Sequence, residues 1–168
     1  PFDTAIYDLG IPVLGVCLGF QMWARHHGTP IGVATHREFG QHALHILKEG
    51  TPILEGIPEG SKVLQSHGDH IEPGGGIEVL ARSDNGPLAA GHLGHLWGVQ
   101  YHPEVTASEH GAKIYENFVF KICGAKDRFP AEDAAARKIA EIRAGVGESK
   151  VLLALSGGSD SAVVAGLL

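Results

Sequence analysis

The stretch IPVLGVCLGFQMWARHHG, residues 11–28, decides how the rest of the chain is read. Residues 11–16 are a short, apolar, partly β-branched run, the pattern of a buried strand, and residues 18–28 read as a helix ending near Gly28. Strand, tight turn and helix in that order is the grammar of an α/β sheet. The turn, Gly15-Val16-Cys17-Leu18-Gly19, places a cysteine between two glycines and fits an elbow that presents a nucleophile. Such a turn lifts the side chain clear of the sheet, and glycines on both sides let backbone segments approach with no Cβ between them. The start of the following helix favours the thiolate, and its first N–H groups can bind a developing oxyanion. The competing reading is a small buried structural cysteine, the commoner fate of that residue.

Working outward, residues 1–10 carry Phe2, Ile6 and Leu9 at helical spacing before a stop at Gly10. QHALHIL (41–47), SKVLQS (61–66), GIEVLARS (76–83), PLAAGHL (87–93) and HLWGVQYH (95–102) are short runs between turn residues, so several more strands are expected. Ile114, Phe118, Val119 and Ile122 recur at helical spacing and predict a helix over 108–123 lying on the sheet. GAKDRFP, residues 124–130, is polar and ends in proline, which makes it the expected linker between a domain at 1–123 and a second at 131–168. A helix with early acids and a late Arg143 follows, then KVLLAL (150–155) as an apolar strand, then another glycine turn and helix at 156–168.

A length of 168 residues suits one domain and part of another. A net charge of -6 argues against binding nucleic acid by phosphate attraction. No apolar run approaches the ~18 residues of a membrane span, and no basic-then-apolar leader opens the chain. Two cysteines, Cys17 and Cys123, build no disulfide framework and fit a reducing compartment, with the cytoplasm as default. The chain opens at Pro1 without methionine and stops at Leu168 inside an apolar run, so a piece of a longer protein is expected.

A thiol nucleophile needs a base, and the base an orienting group. His102 follows the apolar run HLWGVQ and should sit at the carboxyl end of a strand, where α/β sheets place their sites. Glu104 lies beyond a backbone-fixing proline and could meet the far imidazole nitrogen. A loop histidine read alone is usually just solvated; read with an elbow cysteine upstream, a triad is the better account.

GVCLGFQ (15–21) together with YHPE (101–104) resembles the class I, or triad, glutamine amidotransferase family. HREFG (36–40), SHGD (66–69) and YHPEVT (101–106) are similar to the GMP synthase branch of that family. The resemblance implies a flavodoxin-like α/β sheet, Cys17 as nucleophile, His102 as base and Glu104 as its orienter. It also implies that Leu18, Gln21, Ser66 and His67 border a glutamine pocket. The reaction so implied is hydrolysis of the glutamine side-chain amide, through a glutamyl thioester, to glutamate and ammonia. In that family early strands and a glycine-rich oxyanion loop precede the elbow, so an incomplete sheet and site are expected in this chain.

The second glycine turn, LSGGSDS at 155–161, is not a Walker P-loop, because no Gly-Lys-Ser/Thr follows. Glycines and serines at a strand-to-helix turn can still make an anion nest, and Asp160 could hold Mg²⁺ on a pyrophosphate. The plainer reading is a serine-glycine turn capped by Asp160. The segment resembles the PP-loop of ATP pyrophosphatases (adenine-nucleotide α-hydrolase-like domains), with Ser159 where that family often has Val. The resemblance implies that Ser156, Gly157, Gly158, Ser159, Asp160, Ser161 and Ala162 contact ATP. It further implies a whole protein, a homodimeric carbon-nitrogen ligase, that uses glutamine and ATP with Mg²⁺ to aminate XMP to GMP, and no zinc or organic cofactor.

Other readings remain. His42/His45, His67/His70 and His92/His95 are three apart, but in strands and loops that spacing does not bring two side chains to one face. Trp23 and Trp97 read as core or rim residues rather than base-stacking platforms. Two alternatives stand beside the ligase: a free-standing thiol hydrolase of γ-glutamyl substrates, which the PP-loop counts against, and an inactive binding fragment.

Overall fold

A computed structural model describes residues 3–126 and 131–168. Pro1, Phe2 and residues 127–130 of the expected linker lie outside the described residues. The described chain divides into two compact units, Pro1–Ala125 and Lys126–Leu168.

The first unit begins with a 3-10 turn, Thr4–Asp8, capped by the Asp3 carboxylate on the Ala5 N–H at 3.0 Å. Its buried side chain is Tyr7, whereas Ile6 and Leu9, taken from spacing as the apolar face, are exposed. A turn of threefold period presents a different stripe from an α-helix. Then come β1 (Val13–Val16), α1 (Leu18–His26), β2 (Ile31–Ala43), β3 (His45–Ile46), β4 (Lys62–Ile71), β5 (Glu78–Arg82), β6 (Ala90–Leu93), β7 (Leu96–Val99) and α2 (Gly111–Glu116).

The main sheet runs β1-β7-β6-β5-β3, while β2 and β4 pair separately. Among the described residues only β1 and β7 are parallel, with Val16 opposite Val99; the other pairs are antiparallel, so the α/β sheet is mixed. For β6 and β7 chain length dictates this. β6 and β7 are separated by Gly94 and His95 alone, too little chain for the crossover a parallel pair needs. β1 and β7 are far apart in sequence and escape that limit.

Two apolar clusters fill this unit. One gathers Phe20, Trp23 and Ala24 of α1 against Leu88 and Leu96; the other gathers Leu44, Leu54, Val63, Leu80, Val99, Tyr101 and Ile114. Leu96 and Val99 stand three apart on one strand, so they point to opposite faces and feed different clusters. Trp23 is fully buried, with its indole N–H donating to the Trp97 carbonyl at 3.1 Å. The helix expected over 108–123 is real from Gly111 onward, but its second half, Asn117–Ile122, is wound as a π-helix.

The second unit holds α3 (Ala131–Val146) and α4 (Ser159–Leu167). The strand expected at 150–155 does not form: these residues pair with nothing among the described residues, and Leu152 is 98% exposed. A strand requires a hydrogen-bonded neighbour, which apolar composition alone cannot provide.

Candidate active site

Cys17 occupies the tight turn between β1 and α1 with φ 48° and ψ -106°, one of two described non-glycine residues at positive φ. Such a backbone is costly for an L residue and persists only where the surroundings enforce it. Its N–H donates to the Val99 carbonyl at 2.8 Å, extending the β1–β7 ladder by one bond, while its carbonyl accepts from Phe20 N at 3.1 Å and starts α1. The helix turns back so closely that a Cβ on Gly15 would lie 2.7 Å from Gly19 C and Phe20 N. On the neighbouring strand a Cβ on Gly98 would lie 2.2 Å from the Phe20 ring. Gly19, expected to serve the same close approach, faces open space.

Burial raises the Cys17 thiol above its ordinary pKa; hydrogen bonds from Leu18 N–H and Gln100 oppose that rise, and the Glu104 charge adds to it. The thiol is therefore mostly protonated at neutral pH and needs a base.

His102 and Glu104 follow β7, the strand parallel to β1. The His102 Nδ1 and Glu104 Oε1 atoms lie 2.7 Å apart. Partial burial works to raise the Glu104 pKa, but the His102 hydrogen bond, a bond from its own backbone N–H and the attraction of His102 together outweigh it, and the carboxyl stays below its ordinary value. Three contacts fix the His102 backbone: its N–H donates to Leu64 O at 2.9 Å, its carbonyl accepts from Ser108 Oγ at 2.6 Å, and the same Oγ accepts from Leu64 N at 2.9 Å. The histidine is thus clasped by β4, a strand of the other sheet. No hydrogen bond joins Cys17 to His102 among the described residues; the sulfur's side-chain partner is Gln100 Nε2 at 3.6 Å.

The remaining expected residues divide. Leu18 is exposed beside the thiol, and Gln21 is half-buried with its Nε2 donating to Asp69 O and Gln100 Oε1, both at 3.2 Å. Ser66 and His67 alternate along β4, so Ser66 faces solvent and His67 turns inward. His67 Nε2 lies 3.0 Å from Gln65 Oε1 and 3.4 Å from Glu38, which is 1% exposed. Glu38 also accepts from Ser83 Oγ at 2.8 Å and Asn85 N at 3.1 Å. Burial would raise the Glu38 pKa, yet these donors, His67 foremost, hold it low. The segments 36–40 and 66–69 are therefore one structure, with Glu38 opposite His67 in the β2–β4 pair. Sequence reasoning missed Gln100, Ser108 and Glu38. A glutamine inside the apolar run LWGVQY was the available signal, since a buried amide must be hydrogen-bonded.

In the second unit, residues 156–162 form a glycine turn entering α4. Gly157 has φ 81°, Ser161 Oγ donates to Gly158 O at 2.9 Å, and Ser156 Oγ lies 3.2 Å from Ser161 Oγ. Asp160 stands in the first turn of the helix. Among the described residues no group of three or more His, Cys, Asp or Glu could hold a metal ion.

Residues 1–122 match the glutamine amidotransferase class-I family. The chain belongs to that family. In this amidotransferase the strand, cysteine elbow and helix all lie within the matched residues. It is 43% identical over 169 residues to the protein named GMP synthase [glutamine-hydrolyzing] of a Synechococcus strain, covering 99% of this chain and 32% of that protein. It is 43% identical over 164 residues to the protein of the same name from Thermomicrobium roseum, covering 97% and 31%. The chain thus spans about a third of the length of these relatives. A solved structure from Thermoplasma acidophilum, assigned as one subunit of a GMP synthase, superposes with a TM-score of 0.65 at 28% identity, covering 81% of this chain and 64% of that one. A glutamine amidotransferase from Thermotoga maritima gives 0.56 at 26%, covering 70% and 50%. No helix among the described residues of this amidotransferase is long and apolar enough to cross a membrane.

Proposed function

We propose that this chain is the glutamine-hydrolysing part of a GMP synthase, with Cys17, His102 and Glu104 as its catalytic triad. One observation carries the reading. A cysteine forced into positive φ ends one strand, and a histidine–carboxylate pair follows the parallel strand bonded to it. The name shared by the relatives points to the same substrate.

The chemistry follows from the atoms. The Glu104 carboxylate accepts from His102 Nδ1–H, which leaves Nε2 as the acceptor nitrogen. Nε2 takes the Sγ proton, and the thiolate attacks the side-chain amide carbon of glutamine. The C–N bond breaks, and the proton returns from Nε2 to the departing nitrogen, which leaves as ammonia. Water, deprotonated by Nε2, then attacks the thioester; the C–S bond breaks to give glutamate, and the proton returns to sulfur. Glu104 stays ionised throughout and stabilises the imidazolium formed at each transfer.

In the whole protein the ammonia would meet a carbonyl made reactive by ATP. XMP, ATP, glutamine and water would become GMP, AMP, pyrophosphate and glutamate, with the turn at 156–162 holding the nucleotide phosphates. Mg²⁺ suits the oxygen donors there: one carboxylate, Asp160, with the remaining positions left to phosphate and water. It would neutralise charge on the departing pyrophosphate. The second unit is read as the start of that ATP-using domain, and the whole protein as a homodimer. Against a free-standing γ-glutamyl hydrolase stands the Gly157-Gly158 turn entering α4, which glutamine hydrolysis does not use.

The test is Cys17→Ala in the full-length protein. It should lose glutamine-dependent synthesis by at least ~10³-fold while ammonium-dependent synthesis survives. Retention of glutaminase would remove Cys17 from the mechanism, and loss of both activities would refute the division of labour.

A further inference from the structure

Gln100 is 2% exposed, and its side chain bridges Cys17 and Gln21. Its Nε2 sits 3.6 Å from Cys17 Sγ, and its Oε1 accepts from Gln21 Nε2 at 3.2 Å. The far end of this chain settles which way both amides face. Gln21 reaches the backbone carbonyl of Asp69 at 3.2 Å, and a carbonyl can only accept. Gln21 must therefore present its NH₂ group there, and the same NH₂ meets Gln100. If Gln100 were flipped, two NH₂ groups would face each other. Its oxygen consequently points to Gln21 and its N–H to sulfur. Gln21 Nε2 thus donates both to the Asp69 carbonyl and to Gln100 Oε1, and Gln100 Nε2 donates on to the Cys17 sulfur.

We infer that Gln100 is a thiolate donor of the glutaminase reaction, its amide locked by Gln21 and the Asp69 carbonyl so that N–H always faces Cys17. A neutral thiol gains little from such a donor, whereas a thiolate gains a charge-assisted bond. Burial and the Glu104 charge both disfavour the thiolate, so the donor offsets a local cost. The charge that raises the thiol pKa is that of Glu104, which is paired with His102 in the loop after β7. The role rests on Cys17 being the nucleophile, but the effect on thiol ionisation is measurable without that assumption.

The experiment uses the 168-residue chain carrying Cys123→Ser, so that Cys17 is the remaining thiol. The rate of iodoacetamide alkylation is followed against pH. Gln100→Met, apolar and of similar length, should raise the midpoint by about one pH unit, and Gln100→Glu by more. Glutamine hydrolysis by the full-length Gln100→Met protein should fall about tenfold at pH 7, the deficit shrinking as pH rises past the new midpoint. An unmoved midpoint in a folded Gln100→Met chain overturns the inference. Should both variants fail to fold, the unmutated chain still decides. The Gln100 side-chain NH₂ resonances should titrate with the same midpoint as the thiol, and resonances flat across that midpoint overturn the inference too. Failure of the nucleophile reading is separable: Cys17→Ala would then keep glutaminase activity whatever the midpoints do.

Discussion

His102 Nδ1 and Glu104 Oε1 stand 2.7 Å apart across Pro103, in the loop that leaves the one strand paired in parallel with β1. The carboxylate is neither fully buried nor free, and its low pKa keeps it charged at neutral pH. Glu104→Gln keeps an acceptor for Nδ1–H and removes the charge that stabilises an imidazolium. Glutaminase kcat should fall about 10²-fold with KM little changed. The same substitution should lower the Cys17 alkylation midpoint, since the lost negative charge had raised the thiol pKa. A kcat within twofold of the parent would remove Glu104 from catalysis.

Gly15 carries the elbow. Its Cβ position lies 2.7 Å from backbone atoms, which cannot swing away as a side chain would. Gly15→Ala should cost about 2 kcal/mol, visible as a lower midpoint of thermal unfolding, and should abolish glutamine hydrolysis. Gly19→Ala, facing open space, should leave stability nearly unchanged. Equal melting temperatures for the two variants would show that the close approach at Gly15 is not a constraint.

Glu38 gives a pH dependence of stability. Its pKa is depressed in the folded state, so its stabilisation is fully present above the unfolded carboxylate value of about 4.3 and is lost as pH falls through the lower folded value. Below pH ~4.3 the parent should lose stability more steeply than Glu38→Gln. At pH 7 that variant should be less stable by about 1–3 kcal/mol, because the His67, Ser83 and Asn85 donors lose their anionic acceptor. Parallel melting curves against pH would sink the assignment.

Asp160 belongs to the other unit. In the full-length protein, Asp160→Ala should spare basal glutamine hydrolysis and abolish ATP-dependent product formation. ATP use at the parental rate would detach the turn at 156–162 from nucleotide chemistry.

Much of the site was legible in the sequence because its parts are local. An elbow needs glycine, cysteine and a helix start within a few residues, and a histidine–carboxylate pair spans a single proline. The strands at 61–66, 76–83, 87–93 and 95–102 could be seen as short runs for the same reason. Their partners could not. The assignment of 150–155 as a strand failed on this point, since apolar composition says nothing about a neighbour.

Residue chemistry along the chain thus determined a cysteine on a tight turn, a histidine–carboxylate pair after a strand, and a second glycine turn before a helix. Tertiary structure alone decided that the sheet is mixed, that Ser108 and Leu64 clasp His102, that Glu38 lies under His67, and that Gln100 rather than His102 is the thiol's hydrogen-bonded neighbour. Each of these is a hydrogen bond or strand pairing between residues distant in sequence or on opposite sides of a turn. Backbone geometry in three dimensions sets such contacts, and no periodicity along one segment encodes them.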